Sequence, residues 1–240
     1  MLLSFVICRY IAAQGPNEDT VDIFWEMIWQ QNVRVIVMLT NLIEGLGFHS
    51  NKCSQYWPDL VGNTRRCHDI EVQLYDCQEA PDYLVRKLDV SRLETSREIV
   101  HIQCTTWPDR SAPKEASMLL QLIEVVRMLS VQYTKNMEQQ PPGPWLVHCS
   151  AGVGRTGAIC RCIALSIDAS NPSISGTFIA LDQLLRMYDD PSKQEVDVFN
   201  TVYQLRKDRR YLVQTLAQYT YLYKCLHEHG KRKDRKDVQE

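Results

Sequence analysis

The sequence predicts an α/β (α+β) protein in which a twisted mixed β-sheet is flanked by helices. The first observation is an amphipathic helical pattern over residues 20–30, which a continuous apolar run, residues 33–39, follows directly as in an αβ unit. The second is a group of three strand-like runs at residues 70–77, 83–92 and 98–105. Their partial alternation and short polar connections are typical of an antiparallel meander.

The first part of the chain adds one strand-like segment before the predicted αβ unit. Residues 9–16 are extended and end at a Gly-Pro break. Thr20 is the predicted N-cap of the following helix, and Trp25 and Trp29 lie on its apolar stripe. Because such a stripe usually packs into the core, we expect both tryptophans to be buried.

The second half of the chain continues with helices around one further strand. Residues 118–133 predict an amphipathic helix, and residues 145–147 predict a buried strand. A last core helix is predicted over residues 196–209. The apolar residues of that helix expected to face the core are Val198, Phe199, Val202 and Leu205.

Length and composition restrict the class of protein. The chain has 240 residues, is 45% hydrophobic and carries a net charge of −2, so it can bury one large core and lacks a broad positive field for nucleic acid. No apolar run approaches the ~18 residues of a membrane-spanning helix, and the apolar residues 1–8 lack the basic leader of a secretory signal. Nine cysteines without a repeated Cys-x-x-Cys pattern favour a reducing cytosol and indicate no metal site.

Residues 147–157, Val-His-Cys-Ser-Ala-Gly-Val-Gly-Arg-Thr-Gly, have the pattern of an anion cradle. A buried strand stops at Cys149, and the small residues after it let consecutive backbone N–H groups point inward as a nest. A helix that begins near Arg155 adds its positive end, and the guanidinium of Arg155 supplies a planar fork for two phosphate oxygens. The sequence therefore predicts a phosphate site here.

Cys149 is the predicted nucleophile of this cradle. A free cysteine with a pKa of about 8.5 is mostly thiol at neutral pH, whereas N–H donors, a helix N-terminus and Arg155 together lower that pKa by several units. Each unit corresponds to ~1.4 kcal/mol, so a shift of about three units makes the thiolate dominant. The alternative is an ordinary strand-to-helix turn with a buried cysteine, and the spacing of Cys149 and Arg155 favours the site.

The cradle resembles the signature loop of the classical protein tyrosine phosphatase family. The residues that match the family pattern in register are His148, Cys149, Gly152, Gly154, Arg155, Thr156 and Gly157. Further segments resemble family motifs in family order, namely residues 10–16, 41–58, 105–109 and 211–219. The resemblance covers about residues 9–230 and implies the fold and chemistry of a phosphotyrosine phosphatase.

The resemblance implies five catalytic residues. Cys149 attacks phosphorus, Arg155 binds the phosphoryl oxygens, and Asp109 acts first as general acid and then as general base. Thr156 stabilises the thiolate when it leaves again, and Gln214 positions the hydrolytic water. A proton donor is needed because tyrosine departs far more easily as a phenol than as a phenolate.

The same resemblance implies binding and supporting residues. The substrate-binding residues of the two loops are Ser150, Ala151, Gly152, Val153, Gly154, Arg155 and Gln218. The supporting residues are His148, Glu44, Lys52 and Trp107. Among them, Glu44 is expected to brace Arg155 through a salt bridge, and Lys52 to lie near the general acid.

Two features depart from the family pattern. We interpret residues 1–240 as a single, N-terminally incomplete domain with a charged tail at residues 231–240. Residues 158–176 are interpreted as an insertion, because they separate Gly157 from a helix at Thr177 that follows the signature directly in the family. Either the inserted segment or the helix at Thr177 then packs behind the cradle. We hypothesise an unusual transcript or gene-model product, which a messenger RNA joining Gly157 directly to Thr177 would confirm.

The predicted function is hydrolysis of phosphotyrosine in proteins through a cysteinyl-phosphate intermediate, with no cofactor. The alternative is a catalytically impaired phosphotyrosine-binding or regulatory pseudophosphatase. The predicted insertion and the N-terminally incomplete domain favour this alternative. A dual-specificity phosphatase is disfavoured by the surroundings of Trp107 and Gln214. The expected partners are phosphotyrosine-containing proteins rather than nucleic acid. The expected location is the cytoplasm, either alone or as the intracellular part of a receptor-type protein.

Overall fold

The computed structural model describes residues 10–44, 50–51, 53–107, 115–134, 143–149, 174–210 and 212–237. The strands in these residues are β1 (Tyr10–Gln14), β2 (Val35–Met38), β3 (Ile43–Glu44), β4 (Ser50–Asn51), β5 (Thr64–Cys67), β6 (Ile70–Glu79), β7 (Tyr83–Arg92), β8 (Thr95–Cys104) and β9 (Trp145–Cys149). The α-helices are α1 (Val21–Gln30), α2 (Ala116–Thr134), α3 (Ile174–Asp189), α4 (Val198–Asp208) and α5 (Leu216–Asp237).

The main sheet of the described residues is mixed, as the sequence predicts. Its strand order is β1-β9-β2-β8-β7-β6-β5. Strands β1, β9, β2 and β8 run parallel to one another, whereas β8, β7, β6 and β5 are antiparallel. The short strands β3 and β4 pair separately as a hairpin. The α/β fold class with helices on both faces is therefore confirmed.

The antiparallel half is the predicted meander. Strands β7 and β8 pair from Tyr83 opposite Cys104 to Arg92 opposite Thr95. Strand β6 pairs with β7 and carries one register shift between Leu74 and Asp76. Strand β5 is not predicted from the sequence pattern, because its four residues include two arginines and show little apolar alternation.

Both faces of the parallel strands are buried. Successive side chains of a strand point to opposite sides of the sheet and therefore enter two different cores. Val147 and Cys149 belong to the core that contains the residues of α2, α3, α4 and α5. Leu146 belongs to the opposite core, which contains the residues of α1. Trp25 is fully buried on that side, whereas Trp29 is half-buried with the guanidinium of Arg97 3.8 Å above its ring.

Helix α3 is the helix that packs against β9 in the described residues. It contacts β1 and β9, and its residues Phe178, Leu181 and Leu184 have no exposed surface. The helix predicted at Thr177 therefore takes this place, beginning three residues earlier at Ile174. Of the predicted insertion, residues 158–173 lie outside the described residues and residues 174–176 belong to α3.

A buried carboxylate joins α3 to its neighbours. Asp182 is fully buried and accepts hydrogen bonds from Nε of Arg127 at 2.6 Å and Nε of Arg186 at 2.9 Å. It also accepts a hydrogen bond from the hydroxyl of Tyr10. Since Tyr10 lies in β1 and Arg127 in α2, this one carboxylate links three elements. A buried charge is tolerated here because it is paired and hydrogen-bonded.

The prediction for Phe199 is wrong. Its side chain is 69% exposed and stacks on Tyr203, with ring centroids 6.1 Å apart. The buried face of α4 consists instead of Val198, Thr201, Val202 and Leu205. Phe199 follows Val198 by one residue, so it is rotated about 100° away from the centre of that face.

The predicted cap needs correction, and part of the predicted charged tail is helical. Thr20 precedes α1, but its hydroxyl donates to Oδ1 of Asn17 at 2.7 Å instead of accepting a helix N–H. The charged residues from Lys231 continue α5 as far as Asp237. Nζ of Lys233 lies 3.3 Å from Oδ1 of Asp189, so the beginning of the predicted tail contacts α3.

Candidate active site

Cys149 is the last residue of β9, between the parallel strands β1 and β2. Its carbonyl accepts a hydrogen bond from the N–H of Gly15 at 2.8 Å, and the carbonyl of His148 accepts one from Leu39 at 2.8 Å. The side chain of Cys149 is buried. In open α/β sheets, ligands bind beyond the carboxyl ends of the parallel strands, and Cys149 lies at such an end.

His148 faces the opposite side of the sheet from Cys149, where Tyr56 connects it to a second histidine. The hydroxyl of Tyr56 lies 2.7 Å from Nε2 of His148 and 2.8 Å from Nε2 of His101. A hydroxyl donates only one proton, so one imidazole accepts and the other donates. Nη1 of Arg86 lies 3.3 Å from Nδ1 of His101, and because arginine can only donate, this Nδ1 carries no proton.

The proton arrangement of this buried relay follows from Arg86. His101 donates its Nε2 proton to Tyr56, and Tyr56 donates its hydroxyl proton to Nε2 of His148. His148 therefore carries its proton on Nδ1. Burial lowers the pKa of His148 to about 3, while the backbone of Cys149 acts in the opposite direction. Burial also lowers the pKa of His101 well below its usual value, so both imidazoles are neutral at physiological pH.

Gly15 and Cys53 lie directly beside the nucleophile strand. A side chain at Gly15 would place its Cβ 2.7 Å from Sγ of Cys53 and 3.3 Å from the carbonyl oxygen of Cys149. Glycine is therefore required at this position by close packing. Burial raises the pKa of Cys53 to about 12, and the charge of Cys149 adds to the shift. Cys53 is thus a neutral thiol next to the candidate nucleophile.

Arg209 is a buried cation near Cys149 that the sequence analysis missed. Its Nη1 donates to the carbonyl of Ala12 in β1 at 3.0 Å. Burial lowers the pKa of Arg209, and the negative charge of Cys149 raises it. The available signal was its position four residues after Leu205, on the buried face of α4.

Gln214 lies between α4 and α5, and Gln218 lies in the first turn of α5. Oε1 of Gln218 accepts the backbone N–H of Gln214 at 2.8 Å and that of Thr215 at 3.2 Å. Gln218 has no exposed surface, and within the described part of the chain its Nε2 has no hydrogen-bond partner. The side chain of Gln218 therefore fixes the backbone at Gln214 and retains donor capacity.

A cavity of about 360 Å³ opens beside Gln214. Phe199 and Tyr203 of α4 and Tyr219 of α5 contribute aromatic walls, and Arg206 lies among the lining residues. Gln214 therefore borders space that solvent can enter.

The other predicted site residues are described in part. Trp107 is buried just after β8, and Nδ2 of Asn41 donates to the carbonyl of Thr105 at 3.1 Å, which ties the end of β8 to the segment before β3. Glu44 lies in β3, and its side chain is outside the described part. The predicted residues that lie outside the described ranges are Lys52, Asp109, Ser150, Ala151, Gly152, Val153, Gly154, Arg155 and Thr156.

The described ranges contain neither a cluster of metal ligands nor a membrane-spanning helix. No group of three His, Cys, Asp or Glu residues among them could hold a metal ion. Likewise, no helix in the part of the chain that the structure describes is long and apolar enough to cross a membrane.

Comparisons with known proteins agree with the motifs. A family model described as "Protein-tyrosine phosphatase" matches residues 5–171 and 173–228. The chain is 40% identical over 225 residues to receptor-type tyrosine-protein phosphatase C of Mus musculus, covering 92% of this chain and 15% of that protein. It is 37% identical over 222 residues to tyrosine-protein phosphatase non-receptor type 7 of Homo sapiens, covering 90% of this chain and 51% of the relative. The chain thus spans about 15% of the length of the first relative and about half of the length of the second.

Proposed function

Because the chain belongs to the protein-tyrosine phosphatase family, we propose that it hydrolyses phosphotyrosine in proteins through a cysteinyl-phosphate intermediate. The observation that carries the proposal is the placement of Cys149 at the carboxyl end of the central parallel strand β9. A neutral His148 and the buried cation Arg209 flank this position. A strand end of this kind accommodates an anionic ligand beyond it.

In the first step, Sγ of Cys149 attacks phosphorus and the bond from phosphorus to the tyrosine oxygen breaks. Asp109 donates its proton to the departing oxygen, a contribution worth about 10²–10⁴ in rate. The guanidinium of Arg155 and the backbone N–H groups of residues 150–154 bind the phosphoryl oxygens, and Glu44 braces Arg155. Lys52 and Trp107 support the acid.

In the second step, a water positioned by Gln214 and Gln218 attacks phosphorus, and Asp109 now takes a proton from that water. The S–P bond breaks, and Cys149 leaves as a thiolate that the hydroxyl of Thr156 stabilises. Inorganic phosphate and the starting enzyme are the products.

The thiolate is not half of a cysteine–histidine ion pair. Because burial lowers the pKa of His148 to about 3, its ring is neutral at physiological pH and offers no positive charge to Cys149. The charges available to stabilise the thiolate are therefore the guanidinium groups of Arg209 and Arg155, with the N–H groups of the cradle. His148 supports the strand end through Tyr56 instead.

We further propose that phosphotyrosine-containing proteins are the substrates and that the chain acts in the cytoplasm. The relatives include proteins named receptor-type and non-receptor phosphatases, so the domain is proposed to act either within a receptor-type protein or on its own. The family match has its break at residue 172, within the segment 158–176 that we propose to be an insertion.

The test is release of phosphate from a phosphotyrosine peptide by the chain and by Cys149→Ser and Asp109→Asn. We expect Cys149→Ser to lower the rate by at least about 10³-fold and Asp109→Asn by about 10²-fold or more. Cys77→Ser is the matched control, because Cys77 is an exposed cysteine of β6. Equal rates for the unmodified chain and Cys149→Ser would refute the proposal, and peptide binding without turnover would support the pseudophosphatase instead.

A further inference from the structure

The backbone just before Gln214 is held in an unfavourable conformation. Val213 is fully buried and has a φ of 53°, in the left-handed region that a β-branched residue rarely adopts. Such a conformation persists only where the surroundings determine it, and it is frequent at functional sites. The contacts that hold Val213 in place therefore also determine where Gln214 lies.

Arg206 of α4 makes these contacts. Its Nε donates to the carbonyl of Leu212 at 3.1 Å, and its Nη2 donates to the carbonyl of Val213 at 2.5 Å. The two carbonyls belong to the peptide groups on either side of Val213. One planar guanidinium thus fixes both peptide groups, which a lysine ammonium with its single nitrogen does less well.

The peptide group between Val213 and Gln214 is held at both ends. Its carbonyl accepts from Arg206, and its N–H donates to Oε1 of Gln218 at 2.8 Å. Because a peptide group is planar, these two bonds fix the direction in which the chain enters Gln214. Gly176 of α3 closes the other side, since a Cβ there would lie 2.8 Å from the Cα of Leu212.

We propose that Arg206 is a positioning residue for hydrolysis of the cysteinyl phosphate, a role that rests on the proposed function. In that step a water oxygen forms a bond to phosphorus, its proton passes to Asp109, and the electron pair of the S–P bond returns to Cys149. Loss of Arg206 releases the peptide groups before Gln214 and misplaces the water. The first step, attack by Cys149, does not use Gln214 and keeps its rate.

The test compares Arg206→Met and Arg206→Lys with Arg210→Met, a control that removes an exposed arginine four residues along the chain. Rapid-quench measurement of p-nitrophenol release from p-nitrophenyl phosphate separates the first turnover from the steady state. For Arg206→Met we expect a steady-state rate lowered about tenfold or more and a first-turnover burst that approaches one product per enzyme. Mass spectrometry should find the phosphorylated enzyme accumulating. Arg206→Lys should fall between Arg206→Met and Arg210→Met, which should match the unmodified chain.

A burst that falls together with the steady-state rate, or a steady-state rate that does not change, would overturn the proposal. Hydrogen exchange of the Gln214 amide gives a second readout that does not depend on catalysis. Arg206→Met should speed this exchange while Arg210→Met leaves it unchanged, and unaltered protection in Arg206→Met would also overturn the proposal. A chain without turnover in its unmodified form contradicts the proposed function alone, because the exchange measurement still decides the role of Arg206.

Discussion

Replacement of Tyr56 by phenylalanine tests the buried relay beside the nucleophile strand. The ring keeps its packing, including edge contacts with Phe24 and Trp57 at centroid distances of 4.9 Å each. The lost hydroxyl bonds Nε2 of His101 at 2.8 Å and Nε2 of His148 at 2.7 Å, and neither histidine has exposed surface. The substitution thus leaves a buried N–H donor and a buried ring nitrogen without a partner.

The expected cost follows from those two groups. Each buried polar group left unsatisfied costs about 1–3 kcal/mol, so Tyr56→Phe should lower the free energy of unfolding by about 3 kcal/mol. Urea denaturation followed by tryptophan fluorescence measures this value. Tyr75→Phe is the matched control, because the hydroxyl of Tyr75 makes an exposed hydrogen bond to Glu98 at 2.7 Å and its loss should cost about 1 kcal/mol or less. Equal losses for the two variants would refute the relay.

Three further predictions use the same unfolding assay. Since the pKa of His148 is about 3 when folded and about 6.5 when unfolded, the unfolded chain binds more protons on acidification, and His148 alone should remove about 2 kcal/mol of stability between pH 7.5 and 5; burial lowers the pKa of His101 as well, so the total loss should exceed this value, and a flat profile would contradict neutral buried histidines. Gly176→Ala should cost about 1–3 kcal/mol and disturb Gln214, because its Cβ would meet the backbone of Leu212 at 2.8 Å; unchanged stability would show that α3 can move. Leu93→Asn should stabilise by about 0.5–1 kcal/mol, because Leu93 is 93% exposed at a φ of 54°; a loss would mean that the leucine has a contact of its own.

The sequence predicts the elements that periodicity alone determines. The helix before β2, the meander and the strand that ends at Cys149 follow from apolar spacing, because their buried faces repeat every two or every 3.6 residues. Strands β3 and β4 have only two residues each, so they contain no period that a sequence pattern can reveal. Phe199 shows that an apolar residue in a helix is not always buried. Its side chain is exposed because each residue is rotated about 100° from the one before it.

The residues of the candidate site also fall into two groups, those that a local motif predicts and those that it does not. Local motifs predict Cys149 and Gln214 as site residues, whereas they do not predict the relay, because Tyr56, His101 and Arg86 come from separate segments that meet only in the folded sheet. His101 does carry a signal, since it is a polar residue within a run of apolar β8 residues that is buried throughout. Its partner cannot be read from that run, because cross-strand register depends on the whole sheet.

The last turn of α4 and its C-cap contact both the strand next to β9 and the segment that precedes Gln214. Arg209 reaches the carbonyl of Ala12 in β1, and β1 pairs with β9 so that Gln14 lies opposite Cys149. Arg206, three residues earlier, holds the carbonyls of Leu212 and Val213.

One helix end therefore contacts both the strand beside β9 and the residues before Gln214. Arginines also suit this end electrostatically, because the C-terminus of a helix carries partial negative charge. We expect the two arginines to differ in what they control: displacement of Arg209 should alter the surroundings of Cys149 and so affect both proposed chemical steps, whereas displacement of Arg206 should alter only the approach of water. An enzyme that needs one anion held for two successive attacks gains from fixing both groups to the same rigid element.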